Sequence, residues 1–366
     1  MPVVKLFYEE NNLEDFHLFL LHSVYSAIIF AAEIPSGYLS DAWGRKRTLI
    51  LGLFFGLLGF TTYSLSYSLM GFLAAEVALG LGQGFISGTD SALLYDSLLE
   101  QKKQKQYIRH EGRITGSGNM AEALAGITVT LLAFQTMRYY YYLQVLFMAI
   151  AFVAACFLSE PSIHKTGVKI RWKSIIDIVK DTLWKNRILS NYVIFSAVIG
   201  FASLSMAWFA QIYLFEAGIK KAFYYGIYWT ILNLTVAAGS YSSHKADRLF
   251  RNKTQSLIYI LILLSSGFFL SSQFISIYGI AVLLVFYFVR GTAHPILKDR
   301  INSLSASNVR ATVLSIRSLI IRILFAILGP LLGWYTDKVS LSFALILCSL
   351  IVFIPGVVIL YSLHKK

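Results

Sequence analysis

Charge is scarce in this chain. Asp, Glu, Lys and Arg make up 14% of its 366 residues, where soluble domains carry about 25%. Apolar residues reach 57%, and the mean hydropathy is +0.64. That balance excludes an ordinary soluble domain. Acid is scarcer than base, 19 residues against 32, leaving a net charge of +13. In a soluble protein such an excess would point to nucleic acid; in a membrane protein it reports Lys and Arg retained in cytoplasmic loops, so no nucleic-acid partner is expected. Cysteine is nearly missing: Cys156 and Cys348 each stand in an apolar run, form no metal or redox motif, and are expected to serve packing. There is no HExxH, CxxC or GxxxxGK[ST] pattern, hence no zinc site, redox pair or ATP-binding loop to support an enzyme or a cofactor. Met1 to Asp15 carries charges and no apolar core, unlike a cleavable signal peptide.

What the chain does have is long apolar runs. Eleven are expected to span a bilayer, roughly 16–38, 48–68, 70–96, 113–135, 139–158, 190–214, 222–243, 255–272, 276–297, 311–335 and 340–362, each about 20 residues long. The fold class is therefore an all-α polytopic membrane protein, with membrane lipid as its solvent. Between the fifth and sixth spans, Ser159 to Leu189 interleaves Trp172, Ile175, Ile176, Val179 and Leu183 with Lys173, Asp177, Lys180 and Lys185. That is the pattern of an amphipathic helix lying on the membrane surface; a solvated linker is the alternative. With the Arg45–Arg47 segment placed in the cytoplasm, 24 of the 32 Lys and Arg fall on that side, five fall outside and three (Arg290, Arg317, Arg322) lie within spans. The positive-inside rule then puts the C-terminus in the cytoplasm. Tyr139 to Tyr142, at an outer boundary, fits an aromatic belt.

Between the first two spans stands Glu33-Ile34-Pro35-Ser36-Gly37-Tyr38-Leu39-Ser40-Asp41-Ala42-Trp43-Gly44-Arg45-Lys46-Arg47. Gly37, Leu39, Asp41, Gly44, Arg45 and Lys46 match G-x-L-x-D-x-x-G-R-K, so the segment resembles the helix 2–3 loop signature of the major facilitator superfamily. The resemblance implies two pseudo-symmetric six-helix bundles, here with about 11 of 12 helices. Residues 1–158 would form the first bundle, 159–189 a cytoplasmic linker and 190–366 the second. Met1 to Tyr8 looks like the outer end of a helix 1 whose earlier turns are absent. Internal repetition agrees with this organisation: Ser87 to Asp96 aligns with Arg290 to Asp299, sharing Gly-Thr and a later Asp. The counterpart of the Asp41 segment, Gly239 to Arg248, is degraded.

The resemblance also implies roles. Asp41, Gly44, Arg45 and Lys46, with Asp96 at the inner end of helix 4 and Arg310 at the start of helix 11, would form a cytoplasmic latch between the halves. Topogenic charge alone is the competing explanation for Arg45 to Arg47. The stripes Gly80, Gly84, Gly88 and Gly52, Gly56 are assigned to helix packing.

Within the spans stand Glu33, Glu76, Asp90, Glu122, Arg290, Arg317 and Arg322, with His22 and His294. Buried charge in a membrane is costly, so such residues face a cavity or one another. His22, Ser26 and Glu33 share a helical face expected to line the cavity. Glu33, Asp90 or Glu122 is expected to carry a coupling proton, unless each is a permanently paired structural charge. Arg290, Arg317 and Arg322 would bind an anionic solute or neutralise those acids. His294 precedes Pro295 and is expected to belong to a helix kink.

The family signals for drug–proton antiport are missing. Gln83-Gly84 is preceded at the arginine position by Gly80, and Gly112, Gly116, Gly118 and Gly126 are not followed by proline. The expectation is a monomeric secondary transporter in the cytoplasmic membrane, moving a small organic solute by alternating access with protons. A transporter-like sensor or scaffold, or an inactive truncated paralogue, remains the alternative.

Overall fold

The computed structural model describes residues 3–87, 89–103, 107–132, 134–161, 186–250, 252–304 and 310–364. Some helical side chains, those of Asp41 and Arg310 among them, lie outside that description. So do residues 162–185, and with them the expected surface helix.

Thirteen helices account for the described residues: α1 (Val4–Glu10), α2 (Asp15–Trp43), α3 (Arg45–Leu65), α4 (Leu69–Ile86), α5 (Thr89–Glu100), α6 (Tyr107–Leu132), α7 (Arg138–Cys156), α8 (Arg187–Glu216), α9 (Ala222–Arg248), α10 (Lys253–Gln273), α11 (Ile280–Leu304), α12 (Arg310–Lys338) and α13 (Leu341–His364). Every expected span meets a helix. Nine of the described helices are long and apolar enough to cross a bilayer. The exceptions are α5, a short continuation of the third span, and α6 and α9, whose polar residues dilute the apolar run, as well as the short α1. The third span is interrupted after Ile86, where Ser87 caps the end of α4.

Local chemistry sets the ends. Glu14 and His17 close a capping box on α2, Ser68 caps α4 through the Gly71 amide, and Asn252 with Gln255 caps α10. Asp41 was expected in a loop, but α2 continues through it to Trp43, since backbone hydrogen bonds are best satisfied within a helix at membrane depth. The break is confined to Gly44, at φ 115°, a conformation that favours glycine. A Cβ there would also lie 3.0 Å from the Glu160 carboxyl. That carboxylate accepts the Arg45 and Lys46 amides at 2.7 and 2.8 Å, satisfying the start of α3 from a residue beyond α7.

Helices α2, α3, α4, α5 and α7 pack against one another, and α8 to α13 do likewise; the halves meet through α2 on α12 and α6 on α9, the latter being the main contact of α6. Close approach replaces the hydrophobic drive that lipid does not supply. Gly80 and Gly84 of α4 receive Ile28 and Ala32 of α2, as the packing assignment of that stripe requires.

Among the described residues, the polar and aromatic contacts between the halves lie toward the end of the molecule bearing Asp15. The Asp337 carboxylate of α12 accepts the Asp15 and Phe16 amides of α2 at 3.0 and 2.5 Å. Phe19 packs on Phe209 and Phe325, and Ser23 donates to the Phe325 carbonyl. The Lys5 amide donates to Gln211 of α8, while its ammonium pairs with Asp15 at 2.5 Å and with Glu9. Burial opposes the Lys5 charge, but Asp15 and Glu9 outweigh it and hold the pKa above the ordinary lysine value. Lys5 lies outside every candidate span. Its contribution to the clasp is therefore present at neutral pH and lost as pH rises through that elevated value.

Arg138 fastens the same end within the first half. It is 7% exposed and donates to the Tyr63, Ser64 and Ser66 carbonyls at the end of α3 and to Asn11 Oδ1. Arg138→Ala should lower stability by about 2 kcal/mol or more, because buried carbonyls lose a charged donor; a fall in the unfolding midpoint in detergent would measure it. Beside it, the tyrosine run departs from the expected belt. Tyr139 and Tyr142 are exposed, but Tyr140 and Tyr141 turn inward and are buried, because successive helical residues cannot share one face.

Candidate functional site

Two cavities lie beneath the closed end. The first, about 390 Å³, is bounded by residues of six helices, among them Tyr8, His22, Tyr63, Glu76, Tyr141 and Trp208, from α1, α2, α3, α4, α7 and α8. Glu76 is its chemical centre and is 3% exposed. Tyr63 donates to Glu76 Oε1 at 2.6 Å and shares a 2.8 Å hydrogen bond with Tyr8. His22 Nδ1 lies 3.4 Å from the same carboxylate oxygen. The His22 ring lies over the Trp208 indole, with centroids 3.5 Å apart. Trp208 belongs to the second half, so this contact crosses between the bundles.

The second cavity, about 220 Å³, lies among α8, α11 and α12; Arg290 and Arg317 give it its charge, and His294 lines it beside them. Arg317 Nε donates to Ser196 at 2.5 Å, and the Arg290 guanidinium stands 5.1 Å from the centre of the Tyr287 ring. Among the described residues no carboxylate comes within 4.0 Å of either guanidinium. Pro295 does lie inside α11, and His294 lines the cavity beside it.

The other expected site residues divide. Glu33 sits on α2 with Oε2 buried and unpartnered, and Arg322 of α12 is its charged neighbour across the halves. Asp90 and Glu122 are exposed, at the start of α5 and on α6, and line neither cavity. Arg45 pairs with Asp96 at 3.2 Å, and its guanidinium donates to Ser40. This joins α3 to α5 inside the first half.

A second ion pair repeats that link in the second half with its signs exchanged. Asp247, at the end of α9, accepts two hydrogen bonds from Arg300 of α11 at 2.6 and 2.7 Å. Arg45 follows α2 in the first half as Asp247 ends α9 in the second, so acid and base have changed places.

Sequence reasoning passed over Glu76 when choosing candidate acids, although an intramembrane carboxylate is a functional hypothesis by default. It had no means of gathering Tyr8, Tyr63 and Tyr141, which come from three distant stretches with no shared periodicity.

A helical membrane protein of two joined bundles, enclosing charged cavities near their meeting surface, defines a polytopic transporter. The model of the Major Facilitator Superfamily matches residues 1–327. The chain belongs to that superfamily. It is similar to an uncharacterized transporter of Buchnera aphidicola, at 33% identity over 95 residues covering 26% of this chain and 24% of that protein. It is also similar to the multidrug resistance protein MdtL of Escherichia coli, at 24% identity over 280 residues covering 74% of this chain and 68% of MdtL. The nucleoside transporter NupG shares the fold, with a TM-score of 0.79 at 12% identity covering 99% of this chain and 93% of that one. A POT family transporter crystallised with a thioalcohol-conjugated peptide does likewise, with a TM-score of 0.74 at 14% identity, covering 100% and 92%.

Proposed function

We propose that the chain is a proton-coupled secondary transporter that moves a small organic solute across the plasma membrane by alternating access. It works as a monomer surrounded by lipid, with its Arg45 end and C-terminus in the cytoplasm. Residues 1–158 and 190–366 rock against each other, joined by the linker 159–189. The observation that carries this proposal is the placing of the polar and aromatic contacts between the halves: among the described residues they lie toward the Asp15 end, with both cavities below. Such an arrangement is one of the two end states that alternating access requires.

In the opposite state Asp41, Gly44, Arg45, Lys46, Asp96 and Arg310 close the Arg45 end. The coupling proton is carried by Glu33, Asp90 or Glu122. Glu33 is the best supported, because its unpartnered buried oxygen faces a charge on the other half. MdtL is named for multidrug resistance, yet Gly80 and the proline-free α6 leave this chain without the antiporter signals. Drug export is therefore not part of the proposal.

The test is proton movement in proteoliposomes of the purified chain, screened against a mixed metabolite and drug library. A solute-evoked pH change that Glu33→Gln removes is the expected result. Folded protein that moves no compound would overturn the transport assignment. Solute flux that stays pH-driven after amide replacement of all three acids would overturn the coupling assignment alone.

A further inference from the structure

We propose that the two cavities are opposite poles of one binding site, and that the solute is dipolar, carrying a protonated amine at one end and a carboxylate or similar anionic group at the other. This rests on the transport proposal and names its substrate class.

The first pole is acidic and aromatic. Glu76 is buried, and its Oε1 takes both the Tyr63 hydroxyl and the approach of His22. No Lys or Arg lines this cavity. Aromatic faces from Tyr63, Tyr141 and Trp208 surround the acid, and the negative face of a ring attracts an ammonium group. A carboxylate so placed, with only an imidazole beside it, is matched by a cation from the solute.

The second pole has the opposite imbalance. Arg290 and Arg317 enter a cavity of about 220 Å³ with His294, and no described carboxylate is close enough to pair with either guanidinium. Guanidinium groups held half-buried within a membrane span are costly unless an anion meets them. A planar carboxylate is the natural partner of such a fork.

The register of α8 ties the poles together. Leu204 lines the basic cavity and Trp208 the acidic one. These residues are one turn apart on one helix face, about 6 Å along its axis. Each pole alone would leave an uncompensated charge in a medium of low dielectric. Arg317 meets Ser196 and lies beside Gly200, roughly 12–18 Å from Trp208 along the helix axis, and a solute whose two charges span that distance neutralises both at once.

The test is calorimetric titration of the purified full-length chain in detergent with ω-amino acids of four to twelve carbons. Alkylamines and alkanoates of the same lengths are titrated in parallel. The best ω-amino acid should bind tighter than either singly charged analogue by on the order of ten- to hundredfold, the worth of one charged hydrogen bond. Glu76→Gln should reduce its affinity to that of the alkanoate, and Arg317→Gln to that of the alkylamine. Glu76→Asp and Arg317→Lys should retain part of the preference, which a variant that merely misfolds would not. The proposal falls if a singly charged analogue binds as well as every ω-amino acid, or if no member of the series binds. Flux of other solutes with no dipolar preference overturns this proposal alone. Dipolar binding without flux overturns the transport proposal and leaves the site standing.

Discussion

Gly126→Leu is expected to abolish solute flux while leaving both bundles folded, and Gly226→Leu should do the same. Gly126 of α6 and Gly226 of α9 face each other where the two halves meet. A Cβ at Gly126 would strike the Thr230 hydroxyl and approach the Gly226 carbonyl; one at Gly226 would strike the Thr130 hydroxyl and the Gly126 carbonyl. The two segments, Gly-Ile-Thr-Val-Thr and Gly-Ile-Tyr-Trp-Thr, are local copies of each other. In both, the threonine hydroxyl bonds the carbonyl of its own helix's glycine. Neither helix can yield by a rotamer change, because backbone atoms are among those struck. Overpacking of a close contact costs about 1–3 kcal/mol, and here it falls only on the state in which α6 and α9 touch. A penalty of that size moves a two-state equilibrium by about 5- to 150-fold. A single cysteine placed at the Asp15 end of either variant should become reactive toward a membrane-impermeant thiol reagent. Normal flux with an unreactive cysteine would show that α6 and α9 need not meet during transport.

This contact also shows where the sequence was legible and where it was not. The helices themselves could be read off because a span of about 20 apolar residues has little choice of structure in lipid. The Gly-x-x-x-Gly stripes could be read as packing, and Gly80 and Gly84 do take α2 against them. Gly126 and Gly226 form no stripe within either helix; their meaning arises only when two helices from different halves cross. The same limit governs the site. His22 was found by its helical face, and Arg290 with Arg317 by their cost in a membrane. The aromatic wall around Glu76 was not found, because it is assembled from helices far apart in the sequence, α1, α2, α3, α7 and α8. Asp41 was placed in a loop because its segment resembles the helix 2–3 loop signature of the superfamily. Only Gly44 interrupts the helix, while Pro35 is carried inside α2.

Removing either partner of the Asp247–Arg300 pair should destabilise the second half more than removing both. Arg300 has 7% and Asp247 29% of the side chain exposed, and the carboxylate receives two short hydrogen bonds from a single nitrogen. Breaking a buried pair by truncating one side costs about 3–5 kcal/mol, because the other charge stays behind unpaired. Partial exposure of Asp247 brings the expected loss for Arg300→Ala to about 2–3 kcal/mol. The Arg45–Asp96 pair, with 17% of each side chain exposed and one contact at 3.2 Å, should lose less, about 1–2 kcal/mol for Asp96→Ala. Exchanging the charges tests the relation between the halves. Asp247→Arg combined with Arg300→Asp gives the second half the polarity of the first, and should recover part of the stability that either single change removes. Unfolding midpoints in detergent for the two single variants and the double exchange form a double-mutant cycle. A cycle that closes with no interaction energy would mean that Arg300 and Asp247 act separately, and that the charge-reversed likeness between the halves has no mechanical content.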